Sequence, residues 1–141
     1  MTSFERANKR PAPPSAALTV AATPEHLGVL RALVRAAAAQ YPLSMDALTD
    51  LVLAADEAAN TLVDRAVPTS ALTCTFAVNS EQRLLVSVTA ETSHEITSSN
   101  TSFGRIVLEV LVDDVKLAQI PTVDGNWSVT ITLSKALQAG S

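Results

Sequence analysis

A chain of 141 residues with 48% hydrophobic and 17% charged side chains can bury one substantial core and is too short for two ordinary domains. Its net charge of -4 argues against nucleic acid, since phosphate binding needs clustered Lys and Arg, and a protein is the better partner. Aromatic residues are only 4% of the chain, leaving Ala, Val and Leu to fill the interior, and the single cysteine, Cys74, rules out an intramolecular disulfide.

Residues 1–16 are polar, end in Pro11, Pro13 and Pro14, and predict a flexible or extended tail. No apolar run follows Lys9 and Arg10, so a secretory signal is not expected. Leu18 to Ala22 alternates like a short strand. Thr23, Pro24 and Glu25 then supply an N-cap hydroxyl, a proline at the first helical position and an early acid, which predict a helix running to Gln40. Its apolar positions Leu27, Leu30, Val34 and Ala38 recur at helical spacing. Arg31 and Arg35 interrupt this most apolar helix, so no stretch approaches the ~20 apolar residues of a membrane span, and a cytoplasmic protein is expected.

Tyr41-Pro42-Leu43 breaks the pattern, and Ser44 caps a second helix that runs to Asp64. Leu48, Leu51, Val52, Ala55, Ala59 and Leu62 form its apolar stripe, and Asp50, Glu57, Asn60, Thr61 and Asp64 lie opposite. Beyond Pro68 the period changes to two. Leu72, Cys74, Phe76 and Val78 form one strand, Leu84, Val86 and Val88 the next, with Asn79 to Gln82 as the turn. Within that apolar run Cys74 reads as a buried, inert thiol suited to a reducing compartment.

Thr92 to Thr101 is a polar loop, and a third helix is expected over Phe103 to Val112 with Ile106, Val107, Val110 and Leu111 apolar. Val115 to Ile120 and Trp127 to Leu133 make a second hairpin, in which Gly125 supplies the positive φ of the turn. The order β-α-α-β-β-α-β-β predicts an α/β two-layer sandwich, with helices on one face of a mostly antiparallel sheet. A single domain over residues 17–135 is expected, followed by a frayed tail at 136–141.

That element order, with Met45-Asp46-x-Leu48-Thr49-Asp50 and the Ala55-Asp56-Glu57-Ala58 core of the second helix, resembles the anti-sigma-factor serine kinases of sporulation and the general stress response. The resemblance runs without gaps from Leu27 to Arg65 and again from Gly104 through Asp113-Asp114-Val115. It implies the histidine-kinase-like ATPase (Bergerat-type) fold and a dimeric protein that holds a sigma factor away from RNA polymerase. It also implies a kinase activity on a serine of a STAS-type antagonist, the anti-anti-sigma factor that releases the sigma factor.

Such a kinase needs a general base at the attacking hydroxyl and Mg²⁺ held by hard oxygen ligands. Glu57 falls on the family's base position, and the Mg²⁺ amide belongs one turn later, where this chain has Thr61. Asn60 stands about 100° around the helix from that place. A rival register, with Asp56 as the carboxylate four residues before Asn60, restores the spacing but breaks the ungapped match. In the family's Asp-x-Gly-x-Gly motif, which binds adenine, the chain has Ala90-Glu91-Thr92-Ser93-His94. Glu91 is the candidate substitute acid, while the Cβ atoms of Thr92 and His94 obstruct backbone approach. Of the Gly-x-Gly that places backbone N–H groups on phosphate only Gly104 remains, with Ser102 in place of the first glycine, and just Glu95 to Thr101 is left for the ATP lid.

Glu57, Asn60, Thr61, Glu91 and Gly104 therefore form a vestigial Mg-ATP site, and the expected function is anti-sigma binding with little or no nucleotide dependence. The alternative is an ATP-dependent serine kinase acting through Glu57, and a small α/β domain with an unrelated partner is a third possibility. Arg31 lies where the family's sigma-contacting arginine lies, and Leu53 projects from the polar face of the second helix. His26 and His94 are too isolated for a metal site.

Overall fold

The computed structural model describes residues 16–97 and 104–139. In chain order these form β1 (Ala16–Ala21), α1 (Leu27–Ala38), α2 (Met45–Val63), β2 (Ala71–Val78), β3 (Arg83–Thr92), α3 (Arg105–Leu111), β4 (Asp114–Pro121) and β5 (Trp127–Ala136), as the periodicities predict. The strands lie in the order β1-β2-β3-β5-β4, and every neighbouring pair is antiparallel.

Alternation decides which face of the sheet is covered. Leu72, Cys74 and Phe76 of β2, Leu84, Val86 and Val88 of β3, and Val129, Ile131 and Leu133 of β5 are wholly buried on one side. Against them pack Leu30 and Val34 of α1 and Leu51, Ala54, Ala58 and Leu62 of α2. The alanines let the α2 backbone sit close to the sheet. Tyr41, in the connection between the two helices, stacks on Phe76 with ring centroids 6.4 Å apart and planes 14° off parallel. Burial pushes the Cys74 thiol up to about 12, so it stays protonated and unreactive at neutral pH. The opposite face carries hydroxyl pairs between neighbouring strands, Thr19 with Thr73, Ser87 with Thr132 and Thr89 with Thr130 at 2.8–3.3 Å.

Local chemistry sets the element ends. Ser44 Oγ accepts the N–H of Ala47 at 3.0 Å and caps α2 as expected. Thr23 does not cap in that way. Its hydroxyl meets His26 Nδ1 at 2.7 Å, and Pro24–His26 is a 3-10 turn, so regular α-helix begins only at Leu27. In the β2–β3 turn Asn79 Oδ1 accepts the N–H groups of Glu81 and Arg83, while Gln82 takes φ 60 without being glycine. Gly125 has φ 81, as the β4–β5 turn demands.

Other boundaries also differ from expectation. β1 begins at Ala16, paired with Phe76, and so claims a residue assigned to the tail, of which residues 1–15 lie outside the described part. β5 continues to Ala136, and the chain beyond it is tied down, with Leu137 N–H donating to Gln82 O and Gln138 N–H to Pro42 O. Only residues 140–141 of the expected frayed tail lie outside the described part. α3 is shorter than its apolar pattern suggested, and Phe103 lies outside the described residues. Two helical turns can seat few side chains on the core: Leu108 is fully buried, whereas Ile106 and Val110 are 80% and 78% exposed. Lys135 Nζ donates to Leu111 O at 2.9 Å and lies 3.9 Å from Asp50 Oδ2, which pins the end of α3 beside the early part of α2.

Candidate functional site

The acidic face of α2 is where the sequence places the chemistry. Glu57 is half-buried and meets the residue just before α3: a Cβ added to Gly104 would lie 2.9 Å from Glu57 Oε1, so glycine permits the contact. With Glu57 at the start of α3 and Asp50 near its end, the two helices run antiparallel. Glu57 and Gly104 are thus brought together.

Asn60 and Thr61 are both engaged with their own helix. Thr61 Oγ1 donates to Glu57 O and Asn60 Nδ2 to Asp56 O, each at 3.0 Å. Residues four apart share a helix face, so Thr61 continues the Glu57 row beside α3, while Asn60 continues the Asp56 row on the α1 side. The amide is therefore turned away from Glu57.

The segment after β3 is closed onto the sheet. Ala90 is buried at the family's adenine-acid position, on the helix-covered face. Glu91 points to the other face because successive strand residues alternate, and its Oε2 accepts Asn126 Nδ2 at 2.8 Å. It therefore does not join Glu57 and Gly104. Thr92 is fully buried, with its hydroxyl donating to His94 O. Two residues on, Ile96 is buried in the core cluster, and Gln119 of β4 clips its backbone: Ile96 N–H donates to Gln119 Oε1 at 2.7 Å and Gln119 Nε2 donates to Ile96 O at 3.1 Å. What remains of the lid begins at this closure; residues 98–101 and Ser102 lie outside the described part.

A hollow of about 440 Å³ opens past the end of α2, lined by Asp64, Arg65, Ala66, Ser93 and His94. Neither Glu57 nor Thr61 lines it. Among the described residues no group of three His, Cys, Asp or Glu is placed to hold a metal ion, and no helix is long and apolar enough to cross a membrane.

The α1–α2 seam carries a different arrangement. Arg31 places Nη2 at 3.0 Å and Nε at 3.1 Å from Asp56 Oδ1, with side chains 51% and 23% exposed. Arg35 is exposed one turn further along α1. Leu53 is exposed as well, three residues before Asp56 on the outward side of α2, and Val107 of the neighbouring α3 adds to the uncovered apolar surface. The sequence pointed to Arg31 and Leu53 but assigned Asp56 to a rival catalytic register. The signal for its actual partner is the opposite charge on the facing flanks of two consecutive helices.

No family model matches the chain. It is 32% identical, over 123 residues, to the anti-sigma-F factor RsbW of Mycobacterium tuberculosis, in both strain CDC 1551 / Oshkosh and strain ATCC 25618 / H37Rv; the alignment covers 84% of this chain and 73% of the relative. Among solved structures it resembles the crystal structure of the RsbU and RsbW domains of Rv1364c from Mycobacterium tuberculosis, with a TM-score of 0.59 and 18% identity. That match takes in 91% of this chain and 35% of the other, so the chain spans about a third of that protein's length. The likeness establishes the fold, that of the histidine-kinase-like ATPases.

Proposed function

The chain belongs to the RsbW family of anti-sigma factors, and from that premise we propose that it captures a sigma factor on the α1–α2 surface around Arg31 without help from nucleotide. Arg31 presents a half-exposed guanidinium, the side chain best suited to pair with a carboxylate at an interface. Leu53, exposed on α2 three residues before Asp56, offers an apolar contact on the same helix. A STAS-type anti-anti-sigma factor would then release the sigma factor by competition, and the chain would work as a homodimer as its family does.

The observation that carries nucleotide independence is the closure at Ile96 together with the Asn60 side chain held on the Asp56 row, away from Glu57. Magnesium needs a strong oxygen ligand one turn beyond Glu57, where the chain has the Thr61 hydroxyl in place of an amide, and the adenine amino group needs an acceptor where Ala90 is apolar. A lost charge-assisted contact costs about 1.5–3 kcal/mol, so several such losses carry a micromolar nucleotide site past millimolar. Glu57 keeps the place of a general base, but with a weak phosphoryl donor site it has nothing to act upon. Phosphorylation of the antagonist is therefore not part of the proposal.

Substitution at Glu57 separates the two activities. Glu57→Gln is expected to leave sigma-factor capture within about twofold of wild type, as isosteric surface changes do. Incubation of wild-type protein with Mg-ATP and a STAS-type antagonist is expected to leave the antagonist unphosphorylated. Transfer of phosphate to the antagonist by wild type, lost in Glu57→Gln, would establish the kinase instead.

A further inference from the structure

We infer that Asp56 is a positioning residue for partner binding: it holds the Arg31 guanidinium across the α1–α2 seam so that the outer edge of the fork faces a carboxylate on the sigma factor. The role presupposes the Arg31 contact proposed above and adds to it a second residue on a different helix. Asp56 receives Nε and Nη2 of Arg31 on one oxygen, Oδ1, at 3.1 and 3.0 Å. A guanidinium has five N–H donors, so this uses the inner edge and leaves Nη1 and the outer hydrogen of Nη2 for a second carboxylate.

The exposures agree with that division. Asp56 is the more covered of the two side chains at 23%, and Arg31 the more open at 51%. Asp56 also stands on a rigid platform. It lies in the middle of the 19-residue α2, its neighbours Ala55, Ala58 and Ala59 are buried against the sheet, and its carbonyl accepts the Asn60 amide. An arginine searching its rotamers freely must be ordered when it binds, whereas one already held has less freedom to lose. Removing Asp56 is expected to weaken binding even though it removes negative charge from the surface that meets the proposed partner carboxylate.

That sign is what separates positioning from competition. If Asp56 merely occupied the arginine, its loss would free the guanidinium, reduce repulsion and tighten the complex. If it positions Arg31, Asp56→Ala weakens the complex roughly three- to tenfold, the cost of one long side chain left unordered. Asp56→Glu, which keeps the charge and can reach back to the guanidinium, recovers part of the loss. In an Arg31→Ala background Asp56→Ala has no further effect.

The test is a calorimetric or surface-resonance titration of the full chain and these variants with purified Mycobacterium tuberculosis sigma-F, the factor named by the relative, with thermal melts confirming that each variant folds. Weaker binding by Asp56→Ala, partial rescue by Asp56→Glu and no added effect on Arg31→Ala support the positioning role. Unchanged or tighter binding by Asp56→Ala overturns it while leaving the Arg31 contact standing. No loss on Arg31→Ala overturns the sigma-facing assignment of Arg31 and the positioning role with it.

Discussion

Arg31→Glu is expected to weaken sigma-factor binding at least 100-fold, about 2.7 kcal/mol, while the protein stays folded. The loss has two sources. A buried-on-binding arginine is the kind of side chain whose truncation alone costs 2 kcal/mol or more at a protein interface. Reversal also sets two carboxylates, Glu at position 31 and Asp56, where the native pair sits at 3.0 Å, and presents negative charge to the carboxylate proposed opposite Arg31. Stability should change little, because the native pair is exposed and such pairs contribute no more than about 1 kcal/mol. Circular dichroism and a thermal melt beside the binding assay check both halves. Binding within threefold of wild type would remove Arg31 from the interface.

Phe76→Ala is expected to act in the opposite manner, costing about 3–5 kcal/mol of stability with no direct effect on the binding surface. Phe76 is fully buried near the centre of β2, opposite Val86 of β3 and Ala16 of β1, and its ring carries Tyr41 of the α1–α2 connection. Native domains are stable by about 5–15 kcal/mol in all, so this change takes a large share. It also loosens the connection that fixes α1 against α2. The denaturant midpoint should fall steeply with an unchanged slope, and Phe76→Leu, which refills most of the volume, should recover more than half of the loss. A stability loss under about 1 kcal/mol for Phe76→Ala would mean that the site collapses and that the ring is not a keystone of the core.

The fold was legible where the physics is local. Ser44 capping α2, Gly125 in the β4–β5 turn and the period-two runs of β2 and β3 are written within a few residues of where they act. Length misled at α3, whose apolar pattern suggested a buried face although the helix turns Ile106 and Val110 to solvent. Position along the chain misled at residues 137–138, where backbone bonds to Gln82 and Pro42 anchor a segment that looked like a fraying end.

The candidate site divides along the same line. Glu57 and Gly104 lie far apart in the chain but meet in space. Glu91 could have been set aside from the sequence, since Leu84, Val86, Val88 and Ala90 alternate inward and place residue 91 on the other face. The Gln119 clip on Ile96 had no such signal. It joins a strand at the sheet edge to a loop 23 residues earlier, and only the assembled sheet brings them together. The Arg31–Asp56 pair is of the same kind, although each charge lies in the right row of its own helix.

The central claim is that this member of the family holds its sigma factor without nucleotide. Its most direct test is titration of the purified full chain with Mg-ATP and Mg-ADP, run beside capture of a purified sigma factor in the presence and absence of each nucleotide. The account predicts no binding heat up to millimolar nucleotide and sigma-factor capture that is the same in every condition. Micromolar nucleotide affinity, or capture that appears only when nucleotide is added, would contradict it and would mean that the closed segment at Ile96 opens to rebuild the ATP site.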